Sequence, residues 1–183
     1  MQTAFKIITF LFLTATSFGQ LPKRAMKKMG LNPIVFLDSV ETEMNVLQQL
    51  NPFEISNISI VKPKKAKKLL GDKGADGAIY VMTVKAAKII YWNYFRTKSD
   101  EYKKLLNSPE ADTTVQYILN GEVLSETAAP GSLFLISDKN FKSINIIDKE
   151  SGKFMMDNVI PKRYIVVITA KRLKKYLEKK GKR

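Results

Sequence analysis

Five lysines and three glycines lie close together in the middle of the chain, and their types and spacing suggest binding chemistry. They are Lys62, Lys64, Lys65, Lys67 and Lys68, followed by Gly71, Gly74 and Gly77. Glycine-rich loops can cradle phosphate, but the dinucleotide motif opens with Gly-x-Gly and a P-loop ends in Lys followed by Ser or Thr. Here the last glycine leads into Ala-Ile-Tyr, a strand pattern and not a helix N-terminus. The glycines are therefore predicted to form a structural turn with positive φ.

Composition limits the catalytic chemistry. The 183 residues include no His and no Cys, which removes the usual proton-transfer group near neutral pH, the His-activated nucleophiles and nearly all zinc sites. Composition does not remove a Ser-Lys dyad or a carboxylate pair as a catalytic group, but no sequence pattern places two carboxylates in a buried setting. Asp72 and Asp76 in the glycine turn are weak support for a calcium site. We predict no catalytic residue, no metal site, no cofactor and a protein that is not an enzyme.

Short predicted strands and helices position the lysines and the glycines. In chain order they are a strand at residues 34–37, a helix at 41–50 that ends at Asn51-Pro52, a strand at 55–62, a basic helix at 64–70 and a strand at 78–84. Leu69 and Leu70 are predicted to anchor the basic helix on its apolar side.

Residues 51–85, NPFEISNISIVKPKKAKKLLGDKGADGAIYVMTVK, resemble the plug domain of TonB-dependent outer-membrane receptors. In that family a stretch of the form NP-x-x-I-x-x-I-x-V-x-K…GxxGxxGxIxxxT-x-K closes the lumen of a β-barrel from the periplasmic side. The resemblance covers about residues 32–85. It implies that the lysines lie near a barrel wall and contact acidic groups of a partner or bound phosphates, with a solvated helix face as the alternative. No barrel-forming strands are visible after residue 86, which predicts a stand-alone plug-like protein.

The second half of the chain repeats the first in weaker form. Residues 117–121 match residues 35–39. Residues 143–148 match residues 57–62, and residues 164–171 match residues 78–85, with the same difference in residue number in both matches. In the last of these matches Thr169 aligns with Thr83. The glycine turn is not copied. The predicted fold is α+β, with two small plug-like β-α-β-α-β modules around short mixed sheets: module 1 at residues 32–85 and a degenerate module 2 at 113–171, its repeated part starting at about 115.

An aromatic-rich helix is predicted to join the two modules over residues 86–112. Trp92, Tyr94 and Phe95 contribute to its apolar face, and Ser99 is predicted to cap a second segment. Ligand stacking or a membrane-interface role are alternatives, but aromatic side chains bury the most area, which favours core packing.

The N-terminus has the layout of a secretory signal peptide: a basic start, an apolar run at residues 7–18, and small residues before Gln20. The apolar run is shorter than the roughly 20 residues needed to span a bilayer. We predict a signal peptide at 1–19, a basic linker at 20–31 and a basic C-terminal helix or tail at 172–183. The expected location is the periplasm, with association to the outer membrane through a partner.

The net charge of +14 favours an acidic counter-surface. Export argues against nucleic acid as that surface, and simple solubility is the plain alternative. We predict a non-enzymatic plug-like protein that binds an outer-membrane β-barrel protein and occludes or regulates the periplasmic mouth of a channel or transporter. The alternative function is a periplasmic binding module for an anionic ligand, such as a glycan or a lipid headgroup.

Overall fold

The computed structural model describes residues 29–148 and 162–171. The predicted signal peptide, residues 20–28 of the predicted linker and the predicted C-terminal tail lie outside the described residues. Within them the chain forms two four-stranded mixed sheets with several helices. The predicted α+β fold with short mixed sheets is therefore confirmed.

Sheet 1 belongs to the first module and has the strand order β2-β1-β4-β3. The elements of this module are β1 (Ile34–Leu37), β2 (Val40–Thr42), α1 (Met44–Gln49), β3 (Ile55–Val61), α2 (Pro63–Leu70) and β4 (Ala78–Thr83). β1 pairs in parallel with β4, and the two outer strands are antiparallel to their neighbours. Val35, Ile79 and Val81 are buried on one face of the sheet, where Met44 and Leu47 of α1 pack against them.

Sheet 2 has the same topology, with the strand order β6-β5-β8-β7. Its strands and the helix between them are β5 (Val115–Leu119), β6 (Glu122–Val123), α5 (Ala128–Leu133), β7 (Phe141–Asp148) and β8 (Tyr164–Ala170). β5 is parallel to β8, and β6 and β7 are antiparallel to their neighbours. The predicted repeat of the first half is thus confirmed in the sheet topology.

Each module opens with a β-hairpin that the sequence analysis missed. The turn residues are Asp38 and Ser39 (φ 49° and 73°) in one hairpin, and Asn120 and Gly121 (φ 53° and 85°) in the other. Positive φ at both central residues defines the type I′ turn, whose twist suits a two-residue hairpin loop. The predicted helix at 41–50 is therefore wrong in its first part, because the chain folds back there as β2. The first module has the order β-β-α-β-α-β, one strand more than predicted.

β-Bulges show how the two modules align. Ile55 pairs with Thr83, and Phe141 pairs with Ala170, each just before a register shift. β7 therefore corresponds to β3 at the predicted spacing, but the counterpart of Thr83 is Ala170. The predicted alignment of Thr83 with Thr169 is therefore wrong by one residue. A shift of one residue in strand register turns every side chain of the strand to the other face of the sheet. The buried positions of β4 and β8 agree with the corrected register.

The connection between the modules consists of two helices and a 3-10 turn, where the sequence predicted an aromatic-rich helix over residues 86–112 with a second segment capped at Ser99. α3 (Val84–Arg96) starts directly after β4, α4 (Asp100–Leu105) follows, and a 3-10 turn at Pro109–Thr114 leads into β5. The predicted cap is present, because the Ser99 side chain accepts the backbone N–H of Tyr102 at 3.1 Å.

The aromatic side chains of this connection form the main core, as predicted, and they pack on sheet 2. Tyr91, Phe95 and Tyr102 are almost completely buried there with residues of β5 and β8. The rings of Phe95 and Tyr102 meet edge to face at a centroid distance of 5.7 Å, a favourable geometry for aromatic pairs. The indole N–H of Trp92 donates to the Leu106 carbonyl at 3.0 Å. The helix that follows module 1 thus completes the core of module 2.

Candidate functional site

The lysine cluster (Lys62, Lys64, Lys65, Lys67 and Lys68) lies on α2 and at the residue just before it. All five side chains are exposed, so the structure brings the predicted partner-binding residues together on one outward surface. Pro63 occupies the first turn, where its missing N–H is not needed by the helix. Gly71, with φ 65°, ends the helix. The predicted basic helix is present, starting one residue earlier than expected.

α2 is not anchored by Leu69 and Leu70 as predicted. Leu69 is 61% exposed and Leu70 is half-buried. The buried residue is Ala66, which lies so close to the glycine turn that a Cβ on Gly74 would come within 2.4 Å of the Ala66 carbonyl oxygen. The helix backbone therefore packs directly on the turn, and Leu69 adds apolar surface beside the lysines.

The three predicted turn glycines have two different roles. Gly71 and Gly77 have φ values of 65° and 96°, which L-residues with a side chain rarely adopt. Gly74 does not have positive φ, so the prediction is wrong at that position. It lies in a 3-10 turn, Gly71–Gly74, and a hydrogen is required there because the backbone of α2 leaves no room for a larger group.

The charge on α2 is only partly explained by the energetics of the helix itself, because Lys67 and Lys68 lie in its last turn, where positive charge is favourable. Lys64 and Lys65 lie in the first turn, which contains no acidic residue, although positive charge is unfavourable at a helix N-terminus. Lys64 and Lys68 are also a like-charge pair four residues apart, which destabilises a helix slightly. Lys67 forms an ion pair with Asp72 at 3.1 Å between exposed side chains, and such pairs contribute little. The arrangement suits an external anionic group.

A second polar cluster, which the sequence analysis missed, is buried in the second module. Asp112 accepts the hydroxyl proton of Tyr91 at 2.6 Å and lies 3.4 Å from the ammonium of Lys88. The hydroxyls of Tyr102 and Tyr117 are 2.8 Å apart. Burial, with the Asp112 carboxylate as a further cause, raises the pKa of Tyr91, Tyr102 and Tyr117 above the usual value. These tyrosines are therefore neutral hydrogen-bonding groups at physiological pH.

The cavity beside this cluster is too small for an organic substrate. It has a volume of about 40 Å³ and is lined by Asp112, Gln116 and Lys162 among others, whereas ligand pockets measure roughly 300–1,000 Å³. The Gln116 amide donates to the Leu124 carbonyl at 2.7 Å. No signal in the sequence marks Asp112, because it lies in a polar stretch typical of a loop.

In residues 29–148 and 162–171, no three Asp, Glu, His or Cys side chains are grouped so that they could hold a metal ion. Nor does this part of the chain contain a helix with the length and apolar character needed to cross a bilayer.

Comparison with known proteins adds no further assignment. The chain has no match among protein families, curated proteins or solved structures. The resemblance of residues 51–85 to receptor plugs therefore stays a prediction, and any function has to be argued from the fold and from the lysine cluster on α2.

Proposed function

We propose that this protein is a non-enzymatic, exported, plug-like binding protein that docks on an outer-membrane partner through α2. The partner is a β-barrel protein with an acidic periplasmic mouth, which docking occludes or regulates. The observation that carries the proposal is the exposure of all five lysines of the cluster, four on one short helix and Lys62 just before it. The resemblance of residues 51–85 to a receptor plug supports the same partner class.

Electrostatic steering supports the choice of α2 as the docking surface. The net charge is +14, and a local concentration of like charge raises the rate of encounter with an oppositely charged surface. Leu69 is exposed within the same helix and supplies apolar area that a purely electrostatic contact lacks. A mixed surface of this kind suits a specific protein partner.

The rigidity of the first module also supports binding. α2 connects β3 to β4, and Gly74 holds it close to the turn that follows. Lysines on a fixed helix lose less conformational freedom on docking than lysines on a loose loop, so more of the interaction energy remains for affinity.

An affinity capture tests this proposal. The tagged protein is incubated with detergent-solubilised outer membranes from the source organism, and bound proteins are identified by mass spectrometry. We expect enrichment of one β-barrel protein in low salt and its loss in high salt. Recovery of soluble proteins alone would contradict the proposal.

Binding of an anionic ligand is the second candidate, favoured by the same exposed lysines. It predicts retention on vesicles with anionic headgroups, or on an acidic glycan, with no other protein present. Retention on anionic but not zwitterionic vesicles, weakened by salt, would favour it. Binding that is the same in low and high salt would remove it.

A further inference from the structure

The short helix α5 of module 2 lies against β3, an outer strand of sheet 1 in module 1. The two meet at Gly131 and Ser56, where a Cβ built on Gly131 would come within 2.7 Å of the Ser56 carbonyl oxygen. Ser56 is also the residue that the β-bulge leaves without a partner on β4. Module 2 therefore touches the backbone of an outer strand of module 1.

This contact is close, and it leaves one polar group without a partner. Gly131 follows Ala129 and Pro130, which are both buried, so only small side chains precede the point of contact. The Ser56 hydroxyl oxygen is buried there and has no hydrogen-bond partner, which costs free energy. Separation of the two modules would return this hydroxyl to water, so the contact can open more readily than a fully satisfied one.

β3 has the composition of a strand that pairs readily with other chains. Its seven residues, ISNISIV, include no charged residue, no Pro and no Gly, which is the signature of segments that add to further strands. Antiparallel pairing of two copies about Ile58 places Ile55 opposite Val61. The same pairing places Asn57 opposite Ser59, so residues of similar chemistry face each other. The strand is therefore self-complementary.

The counterpart of β3 in module 2 is β7, which is also an outer strand but carries charge. Lys142 and Asp148 of β7 are exposed, and charged side chains on an outer strand oppose pairing with another chain. β3 has no charged residue, and α5 lies against it instead. The two outer strands are thus protected in different ways.

We propose that α5 is a cap on β3 that keeps this outer strand from pairing with an extended strand of another chain. The occupant that fits β3 when the cap is displaced is β3 of a second copy of the protein. The cap acts by position, because an added strand has to run along the backbone of β3 at Ser56, where Gly131 now lies. Pairing of two uncapped copies joins their sheets edge to edge about a two-fold axis.

Displacement of the cap by Gly131→Val tests this proposal, because the new side chain cannot fit against the Ser56 backbone. Gly121→Asn is the control in the same module, since the space around Gly121 is open. Circular dichroism and the fluorescence of Trp92, the only Trp of the chain, first show that each variant is folded. Sedimentation equilibrium then measures self-association. We expect the dissociation constant of the Gly131→Val dimer to be at least about tenfold lower than those of the wild type and the control.

Two further variants identify the strand that pairs. Ser59→Lys, added to Gly131→Val, places a charge on β3 and should return self-association to the wild-type level. Gly131→Ala is a milder change that suits a helix better than Gly and should give intermediate self-association. The proposal is overturned if neither Gly131 variant associates more than the wild type. It is also overturned if Ser59→Lys leaves the association of Gly131→Val unchanged, because the pairing strand would then not be β3.

Discussion

The carboxylate of Asp38 fixes the end of β4 at Thr83. Its two oxygens accept the backbone N–H of Thr83 at 2.7 Å and the Thr83 hydroxyl at 2.8 Å. The same hydroxyl oxygen accepts the Ala86 N–H at 3.1 Å and caps α3. In the second module Asn120 accepts the Ala170 N–H at 2.9 Å. One turn residue thus joins the hairpin to the end of the neighbouring strand in both modules.

Two substitutions of Asp38 test how much its hydrogen bonds to Thr83 contribute to the stability of the fold. Asp38→Ala loses both hydrogen bonds to a charged acceptor and places Ala at φ 49°, so we expect a loss of about 3 kcal/mol in the free energy of unfolding. Asp38→Asn keeps an acceptor and tolerates the left-handed conformation, as Asn120 does, and should cost only about 1 kcal/mol. Urea denaturation measures both values. Equal losses in the two variants would show that the Thr83 contacts do not stabilise the fold.

Gly74→Ala should destabilise the glycine turn, because its Cβ would lie 2.4 Å from backbone atoms of Ala66. Relief requires movement of α2, and we expect a cost of about 1–3 kcal/mol. Gly121→Asn is the control: its φ is 85°, the space around it is open, and Asn is common in such turns. Urea midpoints for the two variants should differ clearly. A Gly74→Ala midpoint equal to that of the wild type would remove the close-packing role.

Tyr91→Phe should cost about 1–3 kcal/mol, because the buried Asp112 carboxylate loses its short hydrogen bond. Tyr94→Phe is a matched control. Its hydroxyl donates at 3.0 Å to Asp138, which is exposed, so the change should stay within about 0.5 kcal/mol. Thermal and urea unfolding give both values. If the two variants are equally stable, the buried cluster is not a stabilising element.

Alkaline pH should unfold the protein through its buried tyrosines. Tyr91, Tyr102 and Tyr117 have a raised pKa in the folded state, mainly because of burial, whereas an unfolded tyrosine ionises near pH 10. Below that pH both states are protonated and the stabilisation is complete. As the pH rises above about 10 the unfolded state ionises first, so the free energy of unfolding falls towards the folded-state pKa values. A pH titration that follows tyrosine ionisation by absorbance at 295 nm and folding by far-UV circular dichroism tests this prediction. The three buried tyrosines should ionise only when the protein unfolds. Their ionisation near pH 10 while the protein is still folded would contradict the prediction.

The sequence predicted β1, β3, α2 and β4 to within about two residues, because their patterns are local. The alternation of Ile55–Val61 and the break at Pro63 need no distant partner to be recognised. β2 was missed because it is three residues long and has no alternating pattern, with Val40 67% exposed. Its turn, Asp-Ser, also lacks the Asn-Gly signal that marks many hairpins.

The parts that could not be predicted depend on contacts distant in sequence. Asp112 is buried only because α3 packs on sheet 2, and nothing in its own neighbourhood indicates that packing. In the sequence, Gly74 resembles any flexible turn residue, because its close contact with the Ala66 backbone exists only in the folded structure. The lysines of α2 were found readily, since exposure of a charged run is the ordinary expectation. Their role as a docking surface stays a proposal.

The most direct test of the docking role compares two variants with the same change in net charge. Lys62→Glu/Lys64→Glu/Lys68→Glu alters the α2 surface, and Lys103→Glu/Lys104→Glu/Lys139→Glu alters exposed positions of α4 and of module 2. Capture of the outer-membrane partner is quantified for both at equal protein concentration, after circular dichroism shows that both are folded. We expect the α2 variant to lose at least about tenfold in capture while the control stays within about twofold of the wild type. Equal capture by the two variants would contradict the assignment of α2 as the docking surface.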